Sequence, residues 1–379
     1  MLELQSDARA ASRIRVLIVD DSAVMRSLLR SVVSTDAALD VAGTASDGLS
    51  ALNALSVVRP DLVLLDVEMP VMDGLETLKL MRERAPRLPI IMCSALTQRG
   101  AQVTIESLAS GASDYVAKPA GQVTREAATQ ALAAELIPKI RALTMRRGEL
   151  FTTRGVSLFP SAAAQHVSAR HVPTGKPAAV LIGVSTGGPA ALDVILSALP
   201  AAFPLPVFVV QHMPDLFTRK LAERLNMRCA LGVCEAADGM AVRAGRVYIA
   251  RGDWHMKLVA APGQSHTLRL DQAPLENHCR PSVDVLFRSA ARVYGGNLLA
   301  VMLTGMGHDG LAGTRTLYDF GATILAQDEA TSAVWGMPGA IVHENLAHTV
   351  LPLQQIAAEI LRVCAKPESE AMMLRESAV

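Results

Sequence analysis

The sequence predicts an α/β protein built from two doubly wound domains, each with a parallel sheet covered on both faces. Three observations carry this. Short continuous apolar runs recur at 16–19, 62–65, 90–92 and 115–117, and again at 180–184, 207–210 and 298–303. Stretches of helical spacing follow them, as with Val24, Met25, Leu28, Leu29, Val32 and Val33. Polar residues stand where the apolar runs stop, the place where open parallel sheets form their sites.

In the first block, Asp73-Gly74 and Gly111 punctuate the loops, and the pattern closes near residue 120. From 121 to 176 it degrades. "QVTREAATQALAAELIPKIRAL" is helical in spacing, but Pro138 is expected to break or kink it. The segment after it is short on periodicity and reads as a flexible linker. In the second block, 190–199, 217–226 and 282–293 read as helices, the last with Val283, Leu286, Ala290 and Val293 on one face. Residues 231–271 alternate and turn, which predicts antiparallel hairpins added to the parallel sheet. The resulting division is 13–121, a linker 122–176, a second domain 177–366 and a tail 367–379.

The chain has 379 residues, a length that suits roughly two or three domains. Lys+Arg and Asp+Glu are 36 each, so there is no basic excess to serve nucleic acid. Five scattered cysteines form no C-x-x-C, and the N-terminus has no apolar segment ahead of a cleavage site; both suit a reducing cytoplasm. The most apolar region, 177–210, is interrupted by Gly, Pro and Asp193, as in a strand–helix–strand unit rather than a membrane span.

Asp20 and Asp21 follow the first strand, Asp66 ends "DLVLLD", Ser94 ends "PIIMCS" and Lys118 ends "YVAK". Three converging carboxylates repel unless a hard cation joins them, and Mg²⁺ fits oxygen ligands. A carboxylate so held can attack phosphorus and form an aspartyl phosphate. Ser94 would donate to a phosphoryl oxygen and Lys118 would neutralise charge. With "LDVEMPVMDG" and "YVAKP", residues 13–120 resemble a two-component receiver domain. The resemblance implies a flavodoxin-like fold with Asp66 as phospho-acceptor. Asp20, Asp21, Asp66 and the backbone carbonyl of Glu68 would hold Mg²⁺, and Ser94 and Tyr115 would be a switch pair. It also implies a cis Lys118–Pro119 bond and a histidine kinase as phosphodonor.

The second block opens with "IGVSTGGPAAL", which carries Ser185 among glycines. Two readings stand. Gly183–Gly187 matches G-x-S-x-G, a loop that presents a serine nucleophile, yet the order Ser185, His212, Asp309 is not that of the hydrolases that use it. The other reading is a phosphate cradle at a helix N-terminus, but the Walker lysine and the G-x-G-x-x-G spacing are both absent. Three strand ends deliver Ser185, His212 in "QHMP" and Asp309 in "TGMGHDG", the three types that acyl transfer by serine requires. Glycines beside Ser185 and Met306 would let N–H groups approach a carbonyl. No H-x-x-x-H spacing signals a catalytic metal.

Further matches follow in order: "VYIARGDWHM", "RPSVDVLFRSAA", "LAQDEATS" and "GMPGAI". With them, residues 178–365 resemble the catalytic domain of the chemotaxis protein-glutamate methylesterases (CheB-type). The resemblance implies Ser185 as nucleophile, His212 as base and acid, and Asp309 as its orienter. The Met306 N–H would serve the oxyanion, Thr186 would line the site, and no cofactor is expected there. It further implies methylated chemoreceptors as substrate, methanol as product and glutamine deamidation as a second activity. The unphosphorylated receiver would pack over the esterase cleft. A DNA-binding response regulator would need a short basic helix-turn-helix, which this long, evenly charged block does not offer. An adaptor with a lapsed esterase is the other alternative, and no triad member is missing.

Overall fold

The computed structural model describes residues 13–119, 124–149, 165–166, 176–260 and 266–365. The tail 367–379 lies outside them, as does most of the expected linker beyond residue 149. The chain divides into two compact units, 1–155 and 156–379.

The first unit runs β1 (Ile14–Val19), α1 (Ala23–Val33), β2 (Leu39–Ala45), α2 (Gly48–Val58), β3 (Leu62–Asp66), α3 (Gly74–Arg84), β4 (Ile90–Ser94), α4 (Gln98–Ala109), β5 (Asp114–Ala117) and α5 (Arg125–Glu149). Its sheet has the order β2-β1-β3-β4-β5 and every pairing is parallel. All five residues of β3 and of β4 are buried, as strands covered by helices on both faces must be. β2 has no counterpart in the sequence reading, because it is an edge strand buried only at Leu39 and Ala45.

Helix α5 runs through Pro138 without interruption, contrary to the expected break. Leu132, Leu136 and Ile140 lie buried in one cluster with Leu28, Leu29, Val32 and Val33 of α1. Burying each aliphatic side chain is worth about 1.5–3 kcal/mol. Three of them outweigh the roughly 3 kcal/mol that an interior proline costs a helix. The Lys118–Pro119 bond, expected cis, is trans; the cis bond among the described residues is Arg280–Pro281.

The second unit runs β6 (Gln165–His166), β7 (Ala179–Val184), α6 (Gly188–Ser197), β8 (Val207–Gln211), α7 (Asp215–Arg228), β9 (Gly232–Glu235), β10 (Arg246–Ile249), β11 (His255–Ala260) and β12 (His266–Asp271). Then come α8 (Val283–Tyr294), β13 (Leu298–Met302), α9 (Leu311–Asp319), β14 (Thr323–Gln327), α10 (Met337–His343), β15 (Thr349–Leu351) and α11 (Leu353–Cys364). The large sheet has the order β6-β15-β14-β13-β7-β8-β10-β9, parallel except at β6. The antiparallel expectation for 231–271 holds only for the β11–β12 hairpin. β9 and β10 instead extend the parallel sheet, because Val247, Tyr248 and Ile249 are wholly buried beside β8.

In each unit the strand order reverses once. In the first, β2 lies on one side of β1 and β3 on the other; in the second, β8 and β13 flank β7. Crevices at the carboxyl ends of such strands are where open α/β sheets bind ligands. Asp20 and Asp66 stand at the first reversal; Ser185 and the loop to Asp309 stand at the second.

Candidate functional site

In the first unit, Asp20 and Asp66 are buried and Asp21 is exposed. One carboxylate oxygen from each of the three lies within 4.8 Å of the others. Lys118 Nζ reaches Asp20 Oδ2 at 2.8 Å and Asp66 Oδ1 at 2.7 Å. Burial pushes the Asp66 carboxyl up to about 6, and the Lys118 ammonium only partly opposes this. Lys118 itself stays charged: burial disfavours the ammonium, but the two carboxylates raise its pKa. An oxygen set of this compactness fits Mg²⁺. The Glu68 N–H lies 3.4 Å from Asp66 Oδ1. Ser94 is buried, but its hydroxyl donates to the Ala95 carbonyl at 3.2 Å rather than to Asp66. Tyr115 is buried with Lys139 Nζ over its ring at 5.0 Å.

In the second unit, β7 ends at Val184 and hands the chain to Ser185, which is half-buried. Ser185 N–H donates to Thr304 O at 3.0 Å, and Ser185 O accepts from Gln211 Nε2 at 3.0 Å. The glycines here also serve turn geometry and packing. Gly187 takes a left-handed φ of 79° to start α6, and a Cβ on Gly188 would overlap Gln211 Oε1.

His212 follows β8, and its main-chain N–H donates to Val184 O at 3.3 Å, so it lies beside the serine's strand. Its Nε2 is 2.8 Å from Asp309 Oδ2. Its Nδ1 is 3.7 Å from Cys279 Sγ. The structure thus joins His212 to Asp309; among the described residues Ser185 hydrogen-bonds through its backbone and not to the ring. Burial disfavours the charged ring, but the Asp309 carboxylate and the Cys279 sulfur outweigh it and raise the pKa to about 9.

Asp309 is buried and fully engaged. Oδ2 accepts from Val283 N–H at 2.7 Å; Oδ1 accepts from Ser282 Oγ at 2.7 Å and Asn277 Nδ2 at 2.9 Å. Ser282 is the N-cap residue of α8 yet makes no side-chain cap bond, so Asp309 caps that helix from across the fold. Burial opposes the carboxylate, but the bonds from His212, Asn277 and Ser282 prevail and hold its pKa at about 2. Asn277 Nδ2 also reaches the buried Asp284 at 2.7 Å.

Met306 sits half-buried on the turn before Asp309, and its N–H takes no backbone acceptor among the described residues. A Cβ on the preceding Gly305 would lie 2.9 Å from Ser185 Cβ, which puts that turn against the serine. Thr186 is buried, and its carbonyl accepts from Thr304 Oγ1 at 2.9 Å. His308 is exposed.

Sequence reasoning missed Cys279, Asn277, Ser282 and Gln211. Cys279 and Asn277 sit on a tight turn, Glu276–Cys279, whose central residues Asn277 and His278 have φ of 52° and 63°. The signal available was "NHCRPS", a cluster of polar residues directly ahead of a helix.

Among the described residues, no helix is long and apolar enough to cross a membrane. The family described as CheB methylesterase matches residues 180–360, and that described as response regulator receiver domain matches 16–130. A protein-glutamate methylesterase/protein-glutamine glutaminase of Nocardioides sp. is 47% identical over 353 residues, covering 93% of this chain and 96% of that relative. One of the same description from Trichodesmium erythraeum is 45% identical, covering 92% of this chain and 99% of its own length. The crystal structure of the Thermotoga maritima CheB methylesterase catalytic domain is 43% identical, with a TM-score of 0.48, over 50% of this chain and 99% of that one. The chain therefore belongs to the protein-glutamate methylesterase/protein-glutamine glutaminase family, with a receiver domain ahead of a CheB methylesterase domain.

Proposed function

We propose that the chain is a phosphorylation-activated serine esterase that hydrolyses glutamate methyl esters on chemoreceptors and deamidates receptor glutamines by the same route. Residues 13–121 receive the phosphoryl group, 122–176 link, and 177–366 do the ester chemistry. The observation that carries the reading is the 2.8 Å bond from His212 to Asp309, on strand ends that flank Ser185.

Asp309 fixes the Nε2–H tautomer, so Nδ1 is the nitrogen left to take the Ser185 proton. The reading requires the ring to turn away from Cys279 and toward the serine. Ser185 Oγ attacks the ester carbonyl, and the Met306 N–H meets the oxygen as its charge develops. The carbon–oxygen bond to methoxide breaks, and His212 returns the proton, releasing methanol. Water, deprotonated by the same ring, then cleaves the acyl–serine ester. A glutamine side chain follows the same steps with ammonia leaving. Thr186 lines the site.

Asp66 is the proposed phospho-acceptor, with a histidine kinase as donor. Asp20, Asp21, Asp66 and the Glu68 carbonyl would hold Mg²⁺, which supplies charge neutralisation for the phosphoryl group. Lys118 reinforces it. Ser94, whose hydroxyl has only to swing from the Ala95 carbonyl, and Tyr115 would transmit the change. The test is methanol release from methylated receptor membranes, with Ser185→Ala as the control. Undiminished release by that variant removes Ser185 as nucleophile.

A further inference from the structure

Beside the serine, the esterase unit gathers three dissimilar donors. One ligating atom each from His212, Cys279 and Asp309 lies within 4.8 Å of the other two. Cys279 Sγ and His212 Nδ1 are 3.7 Å apart. A thiolate and an imidazole make the donor pair of a borderline-soft divalent cation; Mg²⁺ prefers the all-oxygen set of Asp20, Asp21 and Asp66. Zn–S and Zn–N bonds of about 2.3 and 2.0–2.1 Å at a tetrahedral angle separate S from N by about 3.5 Å, nearly the spacing found.

The surroundings suit an ion as well. Asp309, itself fixed by Asn277 Nδ2, Ser282 Oγ and Val283 N–H, holds His212 through Nε2, the kind of outer support that a ligating imidazole requires. The Glu276–Cys279 turn, closed by Glu276 N–H to Cys279 O at 3.1 Å, fixes the thiol. His212 and Cys279 are both half-buried, so an ion has access from solvent.

We propose that His212 Nδ1 and Cys279 Sγ, with waters completing the shell and Asp309 held on Nε2 as outer support, form a Zn²⁺ site whose occupancy switches the esterase off. The ion takes the Nδ1 lone pair and the Cys279 sulfur, and the thiol proton goes to solvent. That lone pair is the one the serine reaction needs. The inhibitory half rests on the esterase reading; the binding half does not.

The full-length reduced protein is titrated with Co²⁺ as a spectroscopic probe. The expected result is a sulfur-to-cobalt charge-transfer band that saturates at one equivalent and is lost in Cys279→Ser. The carboxylate set of the receiver gives no such band. An absent band, or one of equal strength in Cys279→Ser, overturns the site. In parallel, Zn²⁺ is expected to lower methanol release at least tenfold, with recovery on adding a chelator. In Cys279→Ser, tenfold more Zn²⁺ is expected for the same fractional loss relative to that variant's own metal-free rate. Equal sensitivity overturns the inhibitory role. A chain that shows the band but never releases methanol sinks the esterase reading and leaves the metal site standing.

Discussion

Asp309 Oδ2 is shared between the Val283 N–H at 2.7 Å and His212 Nε2 at 2.8 Å. One carboxylate oxygen therefore both caps α8 and orients the imidazole. Asp309→Asn is expected to keep the cap largely in place but to lose the tautomer, lowering kcat by about 10³–10⁴. Asp309→Ala also removes the cap, at a further cost of about 1–2 kcal/mol in folding stability. Denaturant midpoints and methanol release together separate the two roles. Equal destabilisation by both substitutions would remove the distinction.

The raised His212 pKa of about 9 has two opposite consequences with pH. A base must be neutral, so methanol release measured with a chelator present is expected to climb from pH 7 to 9 and then level. The folded pKa lies above the unfolded value of about 6.5. The ring's contribution to stability is thus complete below that value and fades as pH rises through 9. A flat rate profile across this window counts against His212 as the base.

Asp66 carries a raised pKa of about 6 through burial, so part of it is protonated in mildly acidic solution. Protons and Mg²⁺ compete for that carboxylate, so the Mg²⁺ concentration needed for stimulation of the esterase by a small phosphodonor is expected to rise below that pH, and stimulation is expected to vanish in Asp66→Asn. Removing Mg²⁺ with a chelator is expected to have the same effect as the substitution. Equal stimulation of variant and wild type would exclude Asp66 as the acceptor.

Asn277 Nδ2 joins Asp284 Oδ2 at 2.7 Å to Asp309 Oδ1 at 2.9 Å. Asn277→Asp would add a third carboxylate to that buried pair. The expected outcome is a loss of about 1–3 kcal/mol in stability at neutral pH, the cost of leaving buried polar groups without their donor. The loss should shrink in acid. A pH-independent difference in stability between variant and wild type would point to altered packing instead.

The strands that bear the chemistry were legible because burial on both faces makes them continuous apolar runs, and each stops at a polar residue. Asp20, Asp66, Ser185 and His212 could be placed by that rule alone. What resisted was governed by distance along the chain. Cys279 meets His212 across 67 residues, and its turn shows no periodicity. Pro138 misled for a similar reason, since the packing that keeps α5 whole comes from α1, far upstream. β9 is the edge strand, exposed at Gly232 and buried at Val233, and β10 one strand in is buried at Val247, Tyr248 and Ile249; neither pattern distinguishes parallel from antiparallel neighbours.

The reversal of strand order at β7 also sets when the esterase can exist. β13 pairs with β7 in the register Ile182↔Val301, and Asp309 follows His212 by 97 residues. A growing chain that has emerged only through His212 carries the serine and the imidazole but not Asp309, which orients the ring. On the proposed triad, such a chain cannot hold the ring in its working tautomer. On that reading, competence waits until the last third of the polypeptide has joined the sheet beside β7.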